Sequence, residues 1–156
     1  MKQCFLRVDF RLLHGQVGMS WCPYLGADCL LIANDHILTD PLMMASIKLA
    51  KPQGIKLVIK GIEDSIRALK SDITDKYNLF IVVDSINDAY KIIRATGHRQ
   101  LNIGATRFRE GCRQLLDGFY VDEKDVCELK EMIESGVKVE QRMIPSKASV
   151  LVQKLL

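Results

Sequence analysis

The chain has 156 residues, of which 48% are hydrophobic and 26% are charged. This length and composition are typical of one globular domain with a full hydrophobic core, and they exclude a disordered or fibrous protein. The formal net charge of +3 is too small to indicate nucleic-acid binding, and the apolar runs are too short to span a bilayer.

Strand and helix patterns alternate along the whole chain. Short apolar runs predict strands, and apolar residues spaced three and four apart predict helices. The predicted strands are residues 5–9, 29–33, 55–60, 79–83, 101–105 and 137–142. The predicted helices are residues 16–25, 41–50, 62–69, 85–97 and 122–135, and then a last helix that starts at Ser146 and includes Val150, Leu151 and Leu155.

Local signals mark several of these boundaries. Asp40 stands before a proline, which is typical of an N-cap followed by the first helical residue. Ser85 with Asp88 resembles a capping box, and Gly97 is placed to end the same helix. The pair Asp117-Gly118 between two apolar pairs predicts a tight hairpin.

The order of the elements predicts the fold class. Strands separated by helices of this length imply βαβ crossovers, and therefore a single doubly wound α/β domain over residues 1–156. We expect a mostly parallel central sheet, helices on both faces, and a short hairpin near the C-terminal half. Ligands of such sheets bind beyond the carboxyl ends of the strands. His14 follows the first strand and reaches that edge, as do the loops 34–36, 84–85 and 104–106.

Residues 7–17 read RVDFRLLHGQV and carry the clearest chemical signal. Neutral imidazole is a nucleophile near physiological pH, so we interpret His14 as a covalent carrier of a phosphoryl group. Arg11 offers a forked, permanently charged donor to the phosphoryl oxygens. Asp9 could orient either the imidazole or Arg11, and Arg7 is expected to pack or pair with Asp9 rather than contact phosphate.

The backbone around the histidine is expected to line the phosphate site. It comprises Leu12, Leu13, Gly15 and Gln16, where glycine allows close approach and the following helix presents N–H groups. A surface turn without chemistry is the alternative interpretation of this segment. The chain contains no GxGxxG after a strand, GxxxxGK[ST], GxSxG or HExxH motif, so nucleotide, acyl-enzyme and zinc chemistry have no sequence support.

Cysteines and arginines elsewhere carry weaker signals. The five cysteines include no Cys-x-x-Cys pair and are more typical of free thiols in a reducing compartment than of a disulfide framework or a metal site. No adequate signal-peptide core occurs near the start, so we expect a cytoplasmic protein without direct membrane insertion. Arg107, Arg109 and Arg113 could form either a solvated face or a surface for docking a partner.

Residues 7–17 resemble the active-site segment of the IIB components of the bacterial phosphotransferase system (PTS), mannose/fructose/sorbose class. That segment typically reads R-[IV]-D-[DN]-R-L-[IVL]-H-G-Q-V. The similarity continues in residues 102–104, 108–111, 120–125 and 136–140, and so covers essentially the whole chain. Phe10 departs from the family pattern, which usually has a polar residue at this position.

The resemblance implies a phosphotransferase that acts through a phosphohistidine intermediate. His14 would accept the phosphoryl group on Nδ1 from a cytoplasmic IIA protein, with Arg11 stabilising the phosphate and with no cofactor or metal. The group would then pass to a sugar held by the membrane subunits IIC and IID, which places the protein transiently at the inner face of the cell membrane. Two alternatives are a phosphohistidine module that signals sugar flux to a regulatory partner, and a ligand-binding domain without chemistry.

Overall fold

A computed structural model describes residues 3–15 and 17–156. In that part of the chain the strands are β1 Cys4–Asp9, β2 Cys29–Ala33, β3 Lys56–Lys60, β4 Leu79–Val83, β5 Gln100–Ala105, β6 Arg113–Leu116, β7 Phe119–Val121, β8 Lys138–Gln141 and β9 Val150–Leu151. The α-helices are α1 Cys22–Leu25, α2 Pro41–Leu49, α3 Ile62–Lys70, α4 Ile86–Thr96 and α5 Glu123–Glu134.

The central sheet has seven strands in the order β3-β2-β4-β1-β5-β8-β9. All neighbouring strands are parallel except β9, which runs antiparallel to β8. Strands β6 and β7 form a separate antiparallel hairpin around the predicted Asp117-Gly118 turn. The predicted α/β class, with its mostly parallel sheet and short hairpin, is therefore confirmed.

Both faces of the sheet are covered by apolar side chains. Alternate residues of β2 point to opposite faces: Leu31 belongs to a core shared with α3, α4 and α5, whereas Leu30 belongs to a core shared with α2 and residues 17–25. Every residue of β2 and β4 is buried for this reason. This two-sided burial explains why both strands appear in the sequence as unbroken apolar runs.

The predicted helix boundaries are largely confirmed by side-chain caps. The Asp40 carboxylate accepts the N–H of Met43 at 3.0 Å at the start of α2. The Ser85 hydroxyl accepts the N–H of Asp88 at 3.1 Å at the start of α4, and Gly97 ends that helix with a φ of +74°. Each cap satisfies a backbone group that has no partner within the helix.

Two helix predictions are wrong in part. Residues 17–25 do not form one regular α-helix: Val17–Trp21 is a π-helical turn, and α1 follows it. Pro23 has no N–H to donate, which disfavours a regular ladder through this segment. The expected last helix is also absent from the described residues, because Val150 and Leu151 form a strand against β8 and a 3-10 turn follows at Val152–Leu155.

The end of β1 is where a ligand is expected in this fold, because the chain connections change direction there. This strand lies between β4 and β5, and the chain leaves it on one face of the sheet while α4 connects its two neighbours on the other face. The register with β5 shifts between Val8 and Asp9, so that Gly104 is an extra residue on β5. Such a bulge turns the side chains beside it.

Candidate functional site

Asp9 ends β1, and its fully buried carboxylate joins the charged groups of the site. Its Oδ2 atom lies 3.1 Å from Nε2 of His14 and 3.2 Å from Nη2 of Arg7. Its Oδ1 atom accepts the backbone N–H of Arg11 at 3.1 Å and the Nε–H of the same residue at 3.3 Å. The sequence left open whether Asp9 orients the imidazole or Arg11, and the structure places it against both.

The surroundings of Asp9 stabilise its charged form. Burial by itself raises the pKa of this carboxyl group, because a charge loses solvation in the protein interior. The hydrogen bond with His14 and the positive charge of Arg7 act in the opposite direction, and the net effect is a lowered pKa. Asp9 is therefore a carboxylate at neutral pH, and it can only accept hydrogen bonds.

His14 is partly accessible, with 19% of its side chain exposed. Because the facing carboxylate accepts, the proton of the neutral ring belongs on Nε2, and the lone pair is left on Nδ1. No described residue forms a hydrogen bond with Nδ1. The contact thus favours the tautomer whose free lone pair is on Nδ1.

Arg11 has 41% of its side chain exposed, and its guanidinium contacts Asp9 through Nε alone. Its Cζ atom lies 5.7 Å from the centre of the Phe10 ring. Within residues 3–15 and 17–156, no group pairs with its two terminal nitrogens. The outer edge of this guanidinium is therefore free to bind an oxyanion beside His14.

The loop backbone is only partly open to a ligand. The N–H of Leu12 donates to the carbonyl of Asp9 at 2.9 Å, so this donor is used within the turn. The N–H groups of Leu13 and Gly15 have no partner among the described residues. A Cβ at Gly15 would meet no atom within 4 Å, and Gln16 lies outside the described residues.

Arg7 lies next to Asp9 in surroundings that the sequence did not reveal. The expected contact with Asp9 is confirmed, and the guanidinium is completely buried. Nη1 donates to Oδ1 of Asn102 at 2.6 Å, and Nη2 donates to the carbonyl of Met143 at 2.9 Å. Burial lowers the pKa of Arg7 to about 10, partly opposed by the charge of Asp9, so the side chain stays charged at neutral pH.

Trp21, in the π-helical turn, packs against the guanidinium of Arg7. Arg7 lies over the indole with its Cζ 4.8 Å from the ring centre, and the indole N–H donates to the Met143 carbonyl at 3.0 Å. The π-helical turn that follows His14 is thereby tied to the loop after β8. Asn102, a polar residue within an otherwise apolar predicted strand, is a sequence signal that could have pointed to a buried polar partner.

The other loops at this edge serve mainly structural roles. The Asn34 side chain accepts the N–H of Ile37, and the Asp35 carboxylate accepts the N–H of Ile62. Of the three arginines left open by the sequence, Arg109 pairs with Asp122 and Asp125 at the start of α5.

Metal and membrane signals are weak in the part of the chain that the structure describes. There, no group of three or more histidine, cysteine, aspartate or glutamate side chains is arranged to hold a metal ion. No helix among those residues is long and apolar enough to cross a membrane. The five cysteines are unpaired, and burial raises the pKa of both Cys4 and Cys22 to about 11.

Comparisons with known proteins match nearly the whole chain. The family model "PTS system sorbose subfamily IIB component" matches residues 3–156. The sorbose-specific EIIB component of Klebsiella pneumoniae is 27% identical over 151 residues, which are 96% of this chain and 92% of that protein. A probable phosphotransferase enzyme IIB component of Streptococcus pyogenes is 37% identical over 89 residues, 57% of this chain and 55% of that protein. The crystal structure of the IIBSor domain of the K. pneumoniae sorbose permease superimposes with a TM-score of 0.92 at 26% identity, over 99% of this chain and 96% of that one.

Proposed function

The chain belongs to the sorbose subfamily of PTS IIB components, and we propose that His14 carries a phosphoryl group from a IIA donor to a sugar held by the membrane subunits IIC and IID. Membership of this family gives the chain a role in PTS sugar phosphotransfer. The proposal adds the residue that carries the group and the direction of the relay, at the cytoplasmic face of the membrane.

The single observation that supports this assignment is the contact between Nε2 of His14 and the buried Asp9 carboxylate. It favours the proton on Nε2 and so leaves the Nδ1 lone pair available to an incoming donor. A free histidine exchanges tautomers and turns its ring, whereas this one is positioned before the reaction starts.

In the first step, the Nδ1 lone pair attacks the phosphorus of the phosphorylated donor. The new N–P bond forms as the bond between phosphorus and the donor nitrogen breaks, and the donor keeps that electron pair. The proton on Nε2 stays in its hydrogen bond, and the Asp9 carboxylate stabilises the positive charge that develops on the ring. Arg11 binds the phosphoryl oxygens with the terminal nitrogens that Asp9 does not use.

In the second step, a sugar hydroxyl oxygen attacks phosphorus and loses its proton to solvent. The N–P bond breaks, its electron pair returns to Nδ1, and the ring is again neutral. Positioning and charge neutralisation are the main protein contributions to phosphoryl transfer, and both are provided here by side chains. No cofactor or metal ion enters either step.

The test is a relay with purified general PTS proteins, a IIA donor and phosphoenolpyruvate whose phosphoryl group is radiolabelled. We expect the unmodified protein to take up acid-labile, base-stable label and the His14→Ala variant to take up none. The variants His36→Ala and His98→Ala are matched controls and should be labelled normally, because these histidines lie outside the Asp9 cluster. Label on the His14→Ala variant would contradict the proposal.

A further inference from the structure

Phe10 holds two arginine side chains on one aromatic ring beside the proposed phosphorylation site. The Cζ atom of Arg107 lies 5.4 Å from the ring centre, and that of Arg11 lies 5.7 Å from it. The N–H of Phe10 donates to the carbonyl of Ala105 at 3.0 Å, which ties this ring to the end of β5, two residues before Arg107. The ring therefore links the loop after β1 to the loop after β5.

The charged side chains around Phe10 and Asp9 have an excess of positive charge. Arg7, Arg11 and Arg107 bring three positive charges, and Asp9 brings one negative charge. Asp9 contacts the first two directly, but no carboxylate in the described part of the chain lies within ion-pair distance of Arg107. A phosphoryl group on a side chain adds negative charge at pH 7 and would offset part of this excess positive charge.

The neighbouring Arg109 has carboxylate partners, whereas Arg107 has none among the described residues. Arg109 is neutralised by Asp122 and Asp125 at the start of α5. A cleft of about 290 Å³ between the starts of α4 and α5 is lined by both arginines and by Asp84. Asp84 is thus the carboxylate that could draw Arg107 away, yet the guanidinium lies on Phe10 instead.

We propose that Arg107 is a second phosphoryl-binding residue, which Phe10 holds beside Arg11 so that both guanidiniums contact the oxygens of the group on His14. This inference rests on the proposed function and deepens it. Phe10 is a positioning residue: its ring stabilises each guanidinium by a cation–π contact. A polar side chain at position 10 would lack that surface.

The experiment uses potassium phosphoramidate as a small phosphoryl donor, so that no partner protein surface is involved. Phosphohistidine formation is followed by phosphorus NMR on the unmodified protein, Arg107→Ala and Arg113→Ala. The last variant is a matched control, because it removes the same charge from an exposed position on β6. We expect Arg107→Ala to be phosphorylated about tenfold more slowly, the effect of one charge-assisted hydrogen bond, and Arg113→Ala to be unchanged.

A second measurement separates contact with the phosphoryl group from contact with a partner. The pKa of the phosphoryl group on His14 should rise in Arg107→Ala, because a nearby cation favours the dianion. Phe10→Asn should shift it in the same direction by a smaller amount, and Arg107→Lys should restore part of the effect.

Two outcomes would overturn the inference while leaving the proposed function intact. One is an unchanged phosphorylation rate and phosphoryl pKa in Arg107→Ala. The other is an unchanged rate with phosphoramidate together with a raised KM and an unchanged kcat when a IIA protein is the donor, which would make Arg107 a docking residue only. Failure of the unmodified protein to be labelled on His14 would instead contradict the proposed function itself.

Discussion

The guanidinium of Arg7 lies against the backbone of Gly104, where a side chain would overlap it. A Cβ built at position 104 would be 2.8 Å from Nε of Arg7 and closer still to its outer atoms. The glycine is the extra residue in β5 at the bulge beside Asp9. A backbone irregularity thus makes room for the buried cation that contacts the carboxylate of the site.

The first prediction follows from this contact. Gly104→Ala should displace Arg7 and lower the free energy of unfolding by about 3 kcal/mol, since it combines overpacking with damage to a buried ion pair. Gly15→Ala is the matched control, because a Cβ there meets no atom within 4 Å, and it should change stability by less than about 1 kcal/mol. Urea unfolding of both variants provides the measurement. Equal stability of the two variants would show that Arg7 moves aside without cost.

The second prediction concerns the charge of Asp9. Its lowered pKa means that the charged form stabilises the fold above the unfolded-state pKa of about 4, and that this contribution is lost as the pH falls toward the folded-state pKa. Asp9→Asn should therefore cost about 3–5 kcal/mol at pH 7, because Arg7 is left buried without a counter-charge. The deficit should shrink below about pH 4.

Unfolding measured between pH 3 and pH 8 tests this dependence. Asp72→Asn is a suitable control, because this exposed carboxylate forms no ion pair within the described residues. A deficit of the same size at pH 3 and pH 7 would mean that shape, and not charge, explains the effect of the Asp9 substitution.

The third prediction concerns Leu12, which has a φ of +57° although it is fully buried. Leu12→Ala should destabilise the protein by about 2–5 kcal/mol through the cavity that it leaves. Leu12→Gly should be about 1 kcal/mol less destabilised than the alanine variant, because glycine relieves the left-handed strain. The adjacent Leu13 is buried without a positive φ, so Leu13→Gly should be less stable than Leu13→Ala. Thermal unfolding of the four variants is sufficient, and the same order at both positions would exclude strain at Leu12.

The sequence predicted those features of the fold that depend on local patterns. The bounds of β2 and β4 match the prediction, because a strand that is buried on both faces has an unbroken apolar sequence. The Asp40 cap and the Asp117-Gly118 hairpin were predictable because turn and cap chemistry resides in a few adjacent residues. The C-terminal residues were not, since Val150 and Leu151 also fit a helical spacing and only the unpaired edge of β8 makes them a strand.

The same distinction applies to the candidate site. Asp9, Arg11 and His14 are close in sequence, so their proximity could be deduced from one turn. The environment of Arg7 could not be deduced from the sequence, because its partners Asn102 and Met143 lie far along the chain and are brought together by strand pairing. The cation–π contact of Arg107 with Phe10 depends on the pairing of β1 with β5 in the same way.

The last prediction concerns a pair of carboxyl groups at the same edge of the sheet. Burial raises the pKa of Asp88 to about 6, with a further contribution from the negative charge of Asp84 and a small opposing one from Lys91. Asp84→Asn should therefore lower the pKa of Asp88 toward its ordinary value, as measured by NMR titration of the side-chain carboxyl carbon.

The pH dependence of stability should have the opposite sign for Asp88 and for Asp9, because a raised folded-state pKa makes ionisation destabilising as the pH rises from about 4 through 6. Asp88→Asn should thus be more stable than the unmodified protein by about 1 kcal/mol at pH 8, a value reduced for the partial exposure of the group, and equal to it below pH 4. Asp88→Asn that is less stable at pH 8 would show instead that the acidic side chain in the first turn of α4 stabilises the helix by more than its burial costs.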